Sequence, residues 1–233
     1  MSAPQVPEFR YERKFLVQDL DTGQVRMLVK RHPGIFYERY PPRVVNNLYL
    51  DTEEMDNYHA NVSGVAERLK VRIRWYGDLF GQVTAPVLEF KVRHGPVGAK
   101  YSYGFPDFQL DEGFSQRSFE ALLPGSGLPD KVRHRLRFLN VVLANSYYRW
   151  YYASRDQRFR ITVDTAMAYY RVTKTCNRFR VKFVDRDRVV VELKYRPELD
   201  LQAQRIASFF PFSVNANFPE RSCVSGSPGS LAS

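Results

Sequence analysis

A chain of 233 residues with 44% hydrophobic and 15% aromatic residues can bury a substantial core, which excludes disorder of the whole. Lysine and arginine number 35 against 25 aspartate and glutamate, and the net charge of +10 favours polyanionic partners: nucleic acid, anionic lipid or phosphate-rich small molecules. Cys176 and Cys223 fit neither a disulfide framework nor a structural zinc site, and no run is apolar enough for a signal-peptide core or a membrane span, so a cytoplasmic protein is expected.

The chain opens on an alternation. Arg10, Glu12 and Lys14 share one strand face and Phe9, Tyr11 and Phe15 the other, with Arg13 as the exception. Asp19 to Lys30 reads as a loop entering a short amphipathic helix that stops near Pro33. Asn46 to Asp51 is strand-like, and Asp51 or Thr52 before Glu53 and Glu54 predicts an N-cap and acidic first turn for a helix to about Asn61. Arg68 to Trp75 then sets Arg68, Lys70, Arg72 and Arg74 on one strand face against Leu69, Val71, Ile73 and Trp75. After a turn running to Pro86, Val87 to Arg93 places Glu89, Lys91 and Arg93 on one face, and Lys100 to Tyr103 predicts another short strand.

Ser115 to Leu123 and Pro129 to about Leu143 have the spacing of two helices, the second with Lys131, Arg133, Arg135 and Arg137 in solvent. Tyr147 to Tyr152 sets Arg149 between Tyr147 and Tyr151, a tyrosine-rich run that could stack on bases but in a barrel is more often wall packing. Arg158, Arg160, Thr162 and Asp164 share a face opposite Phe159, Ile161 and Val163. Asn177 to Val184 and Val189 to Arg196 predict a hairpin about Asp185 to Arg188, with Glu192, Lys194 and Arg196 on one face. Leu199 to Phe210 predicts a helix. No linker divides the chain, so one domain over 1–222 and a flexible tail over 223–233 are expected.

Strands that are ionic on one face and apolar on the other admit a sandwich with its ions in water, or a barrel with an ionic lumen and helices outside. Arginine dominates the ionic face, and its planar fork matches phosphate oxygens bidentately, which favours the lumen. Among its carboxylates, Glu192 is open to two readings: a salt bridge to a neighbouring Lys or Arg, or a ligand for Mg²⁺ or Mn²⁺. His32, His59, His94 and His134 lack ligand spacing.

The motifs Arg10-x-Glu12-x-Lys14, Arg72-Ile73-Arg74-Trp75-Tyr76-Gly77, Leu88-Glu89-Phe90-Lys91, Tyr147-x-Arg149, Arg158 to Thr165 and Val191-Glu192-Leu193-Lys194 stand in family order. Together they resemble the VTC domain, the polyphosphate polymerase domain of the vacuolar transporter chaperone complex, within the triphosphate tunnel metalloenzyme (CYTH-like) superfamily. The resemblance implies an α+β fold: an antiparallel β-barrel tunnel with helices packed outside. It implies transfer of the γ-phosphate of ATP onto a growing polyphosphate chain. Lys14, Arg72, Arg74, Lys91, Arg149, Arg160 and Lys194 match phosphate-gripping and catalytic positions, and Glu192 matches the metal-binding glutamate for Mn²⁺ or Mg²⁺. Arg10, Arg68, Lys70, Glu89 and Arg158 are expected to line the substrate path, with Arg68 and Lys70 towards a mouth.

Two departures stand out. Arg10 occupies a position where the superfamily often has glutamate, which removes a metal-binding carboxylate and argues against a two-metal triphosphatase. Arg221-Ser222-Cys223-Val224 replaces a segment that usually carries a tunnel lysine. The expected partners are ATP and polyphosphate, with a membrane protein as a further partner and no nucleic acid. The alternatives are a polyphosphate-binding regulatory domain without turnover, and a tripolyphosphatase.

Overall fold

The computed structural model describes residues 10–94, 97–175, 177, 179, 182–185 and 187–212. The expected tail at 223–233, the boundary at 222, both cysteines and Arg221 lie outside them. The strands are β1 (Tyr11–Val17), β2 (Phe36–Asp51), β3 (Glu67–Tyr76), β4 (Gly81–Val83), β5 (Val87–His94), β6 (Val97–Gly104), β7 (Phe108–Leu110), β8 (Asn140–Ser154), β9 (Arg160–Arg171), β10 (Lys182–Asp185) and β11 (Val189–Tyr195). The helices are α1 (Thr22–Arg31), α2 (Asp56–Ser63), α3 (Gln116–Leu122), α4 (Asp130–Leu136) and α5 (Asp200–Ser208).

A nine-stranded antiparallel sheet runs in the order β1-β11-β9-β8-β2-β3-β5-β6, with β10 also paired to β9, and β4 and β7 form a separate two-stranded ribbon. One face carries the helices. Val71, Ile73 and Trp75 from β3 pack there with Leu88, Phe119 and Leu136, and Phe15, Ile161 and Val191 pack with Val25, Val29, Ala203 and Ala207 of α1 and α5. The opposite face carries the charged residues and a smaller apolar cluster of Val45, Leu143, Tyr147, Met167, Tyr169 and Val190.

Curvature makes that second face concave. β1 and β5 stand six places apart in the sheet order, so they would lie about 29 Å apart if it were flat. Yet Lys91 Nζ of β5 is 2.7 Å from Glu12 Oε2 of β1. The sheet therefore wraps almost full circle, as strand twist permits. The expected closed barrel is corrected in one respect: among the described residues no backbone ladder joins β1 to β6, and the ion pair between Lys91 and Glu12 makes the junction.

Four local expectations are also corrected. The N-cap of α2 is Met55 and not Asp51 or Thr52; the helix begins at Asp56, Glu53 and Glu54 lie in the preceding turn, and Asp51 accepts from Asn57 N at 2.9 Å and Tyr58 N at 2.8 Å from four residues before the cap. The fourth helix ends at Leu136, because Val141 to Leu143 pair with β2 as strand β8. β10 and β11 do not form a hairpin; each pairs with a different part of β9. The segment between β3 and β5, read as a turn, contains β4, which pairs with β7. Arg13, the exception on the apolar face of β1, has a tertiary cause. It donates to Tyr195 Oη at 2.7 Å and to Asp200 Oδ1 at 2.9 Å, tying β1 to the start of α5.

Candidate anion-binding site

Cross-strand register assembles the site. Glu12 faces Lys194, Lys14 faces Glu192, Glu192 faces Thr162, and Lys194 faces Arg160. Arg149 faces Asp164, Asn47 faces both Asn145 and Arg74, Arg72 faces Glu89, and Lys91 lies between Lys70 and Lys100. Because directly opposed residues share a face, the charges drawn from separate strands form one band across the concave side. Cations outnumber carboxylates in this band, and the excess calls for an anion to offset it.

Glu89 is the hub of one half. Its buried carboxylate accepts from Arg72 Nε at 2.7 Å and from Lys100 Nζ at 3.0 Å, and Arg74 Nη1 lies 3.9 Å away. Burial pushes this carboxyl up, but the charges of Arg72, Arg74 and Lys100 outweigh it and bring its pKa down to about 2. Arg74 is positioned further by Asn47, whose Oδ1 accepts from Arg74 Nε at 2.9 Å, and by Tyr147 Oη at 3.1 Å. Asn47 is completely buried and donates to Asn145 Oδ1 at 2.8 Å.

Glu192 is the hub of the other half. Lys194 Nζ is 2.9 Å from one carboxylate oxygen and Lys14 Nζ 3.7 Å from the other. Its burial works against ionisation, yet Lys194, Lys14, Arg149 and Lys91 together hold its pKa well below the usual carboxylate range. Arg149 is itself held bidentately by Asp164, at 2.5 and 2.6 Å, and lies over the Tyr147 ring at 5.0 Å. Across from Glu192, Thr162 Oγ1 is buried with no hydrogen-bond partner. An orphaned hydroxyl there is unfavourable unless a ligand completes it.

The donor set decides how a divalent ion could fit. No group of three or more His, Cys, Asp or Glu among the described residues could hold a metal by itself. Glu12, Glu89 and Asp164 are each committed to cations. Glu192 is paired too, with Lys194 and Lys14, but it stands opposite the unpartnered Thr162 hydroxyl, a second oxygen on the same face. The two fit an ion that arrives with phosphate oxygens completing its shell, the way Mg²⁺ is commonly bound.

The remaining expected residues are placed less centrally. Arg160 is half-buried on the band beside Lys194, and Arg10 precedes β1. Lys70 opposes Lys91, and Arg68 opposes Arg93 at the far end of β3 and β5, where Arg68 Nε is buried without a partner. Arg158 is not brought into the band; it lies exposed in the turn between β8 and β9, its backbone N–H donating to Asp156. Asn47, Asn145 and Lys100 are not among the expected site residues, and Thr162 is expected on the ionic face but without a role. The signal for Thr162 is its place in phase with Arg160 and Asp164; Asn47 has none, since Asn46 beside it is equally polar.

Fold and site together define a class: an antiparallel sheet curled around an arginine- and lysine-rich face. A sequence model of the VTC domain matches residues 9–210, and the chain belongs to that family. Among solved structures, a candidate adenylate cyclase from Bacillus halodurans superposes with a TM-score of 0.51 at 14% identity, covering 91% of this chain and 95% of that one. A candidate adenylyl cyclase from Hippeastrum, described as having a dominant triphosphatase activity, gives a TM-score of 0.48 at 13% identity over 90% of this chain and 91% of that one. No curated protein matches the chain. The Bacillus likeness establishes the fold and nothing of the chemistry.

Proposed function

We propose that the chain is a cytoplasmic polyphosphate polymerase that moves the γ-phosphate of ATP onto a growing polyphosphate chain within the curled sheet, used as a tunnel. The observation that carries this reading is the cation-rich band on the concave face of a VTC domain. Phosphoryl transfer depends on positioning and charge neutralisation more than on a covalent nucleophile, and the band supplies both. An oxygen of the acceptor's terminal phosphate forms the new bond to the γ-phosphorus, the bridging bond to the β-phosphate breaks, and ADP leaves.

Arg72, Arg74, Lys91 and Lys100 hold the non-bridging oxygens on one side. Lys14, Arg149, Arg160 and Lys194 hold them on the other. Arg10, Arg68 and Lys70 guide the chain at the rim, where Arg68 has a free buried donor. Glu192 would hold a divalent ion arriving with the substrate, and such an ion would supply charge neutralisation at the phosphate oxygens. A membrane protein that receives the product, and a single catalytic unit over residues 1–222, belong to the same proposal.

The existing pair between Lys194 and Glu192 favours a second reading, a polyphosphate-binding domain without turnover. Incubation with ATP and Mn²⁺, followed by separate assays for long-chain polyphosphate and orthophosphate, tests these readings. A chain product that disappears in Glu192→Ala supports the polymerase. Tight polyphosphate binding with no product supports the regulator, and orthophosphate alone supports a tripolyphosphatase.

A further inference from the structure

Beside the ionic band, on the same concave face, the side chains change character. β2 is interrupted by Pro41 and Pro42, and its register with β8 shifts between Glu38 and Tyr40 and again between Tyr40 and Arg43. Such irregularities re-aim side chains next to sites. Here they bring the Arg43 guanidinium over three rings, at 4.7 Å from Tyr76, 5.3 Å from Tyr151 and 5.9 Å from Tyr40. Tyr40 meets Tyr151 edge-on at 6.0 Å, and Tyr40 Oη accepts from Arg39 Nε at 3.0 Å. Arg39 Nη1 is buried with no hydrogen-bond partner.

Two facts separate this group from core packing. Tyr76 is 51% exposed and Tyr40 46%, so each keeps surface open to a ligand beside the Arg43 guanidinium. Their register also puts them on the phosphate-facing side: Arg43 opposes Arg149, and Val45 opposes both Tyr76 and Tyr147. From Arg43 to Asn47, the residue that holds Arg74, the strand advances about 13 Å. That is comparable to the span from base to terminal phosphate in an extended nucleoside triphosphate.

We propose that Tyr40, Arg43, Tyr76 and Tyr151 form a base-stacking subsite at the rim, which makes the site prefer a nucleoside triphosphate to an inorganic phosphate chain. The proposal rests on the reading of the band as a phosphate site and adds the recognition of a base. Tyrosine faces and guanidinium planes stack on any nucleobase, with the larger purines gaining most. Charge alone would favour tripolyphosphate, which carries at least the charge of ATP, so a preference for ATP reports the base.

Titration calorimetry without added metal tests this, using ATP, inorganic tripolyphosphate and a single-stranded oligonucleotide as probes. Wild type is expected to bind ATP more tightly than tripolyphosphate. Tyr76→Ala and Tyr40→Ala are expected to weaken ATP at least tenfold while leaving tripolyphosphate within twofold, and Tyr76→Trp to restore ATP. Equal loss for both ligands, or no loss for either, overturns the subsite. An oligonucleotide bound more tightly than ATP overturns it in favour of a nucleic-acid surface. Wild type that binds neither ATP nor tripolyphosphate overturns the underlying phosphate-site reading, a result distinct from loss of base selectivity alone.

Discussion

Substituting Glu89 by Gln would keep the shape of the band's first hub and remove its charge. The carboxylate is 5% exposed and serves Arg72, Arg74 and Lys100 together. Its pKa of about 2 in the fold, against an ordinary 4.5, corresponds to about 3 kcal/mol of stabilisation at neutral pH. Breaking a buried ion pair from one side independently costs about 3–5 kcal/mol. Because the folded pKa is depressed, this stability is fully present above pH 4.5 and is lost as pH falls through about 2.

Denaturant unfolding of wild type and Glu89→Gln across that range is the assay. The variant should be less stable by about 3 kcal/mol at pH 7, with the difference closing in acid. Tripolyphosphate should restore much of the loss, since the released cations become free to hold it. A difference below about 0.5 kcal/mol at pH 7, the size of an ordinary surface change, would refute the role of Glu89 as the hub.

Three further outcomes follow from the same geometry. Thr162→Val removes a hydroxyl without a partner, so stability should hold or rise by up to about 1 kcal/mol while tripolyphosphate affinity falls several-fold; unfolding and calorimetry on one preparation check both, and a loss of stability would show that the hydroxyl is already bonded. Asn47→Ala strands Arg74 Nε and Asn145, and should cost about 1–3 kcal/mol in unfolding free energy together with weaker anion binding. His32 is buried between Phe36 and Phe210, accepts from Gly34 N at Nδ1 and donates from Nε2 to Ile206 O. Burial lowers its pKa, so its contribution is present above about pH 6.5 and declines as pH falls below it. His32→Phe should flatten the pH dependence of unfolding in that window, and an unchanged slope would remove His32 from the acid response.

Strand alternation made most of the band legible. In β3, β5 and β11 it separates Arg72, Glu89 and Glu192 from buried Val71, Leu88 and Val191, because a period of two is readable within a single strand. Long-range contacts were not readable in this way. Arg13 broke its pattern for Asp200, 187 residues away. The first half of β2 was hidden by Pro41 and Pro42, which normally mark turns. Val141 to Leu143 fitted a helical period as well as a strand, and pairing with β2 decided it. Asn47 has no local signature and Thr162 only its phase with Arg160 and Asp164, since their roles come from the neighbours that cross-strand pairing sets beside them.

Calorimetry with inorganic tripolyphosphate at two ionic strengths shows whether the concave band holds a polyphosphate anion. Arg74→Ala should lower the affinity tenfold or more, while Arg137→Ala, at the C-terminal end of α4 away from the band, should leave it unchanged. Equal losses in the two variants, or none in either, would contradict binding in the band.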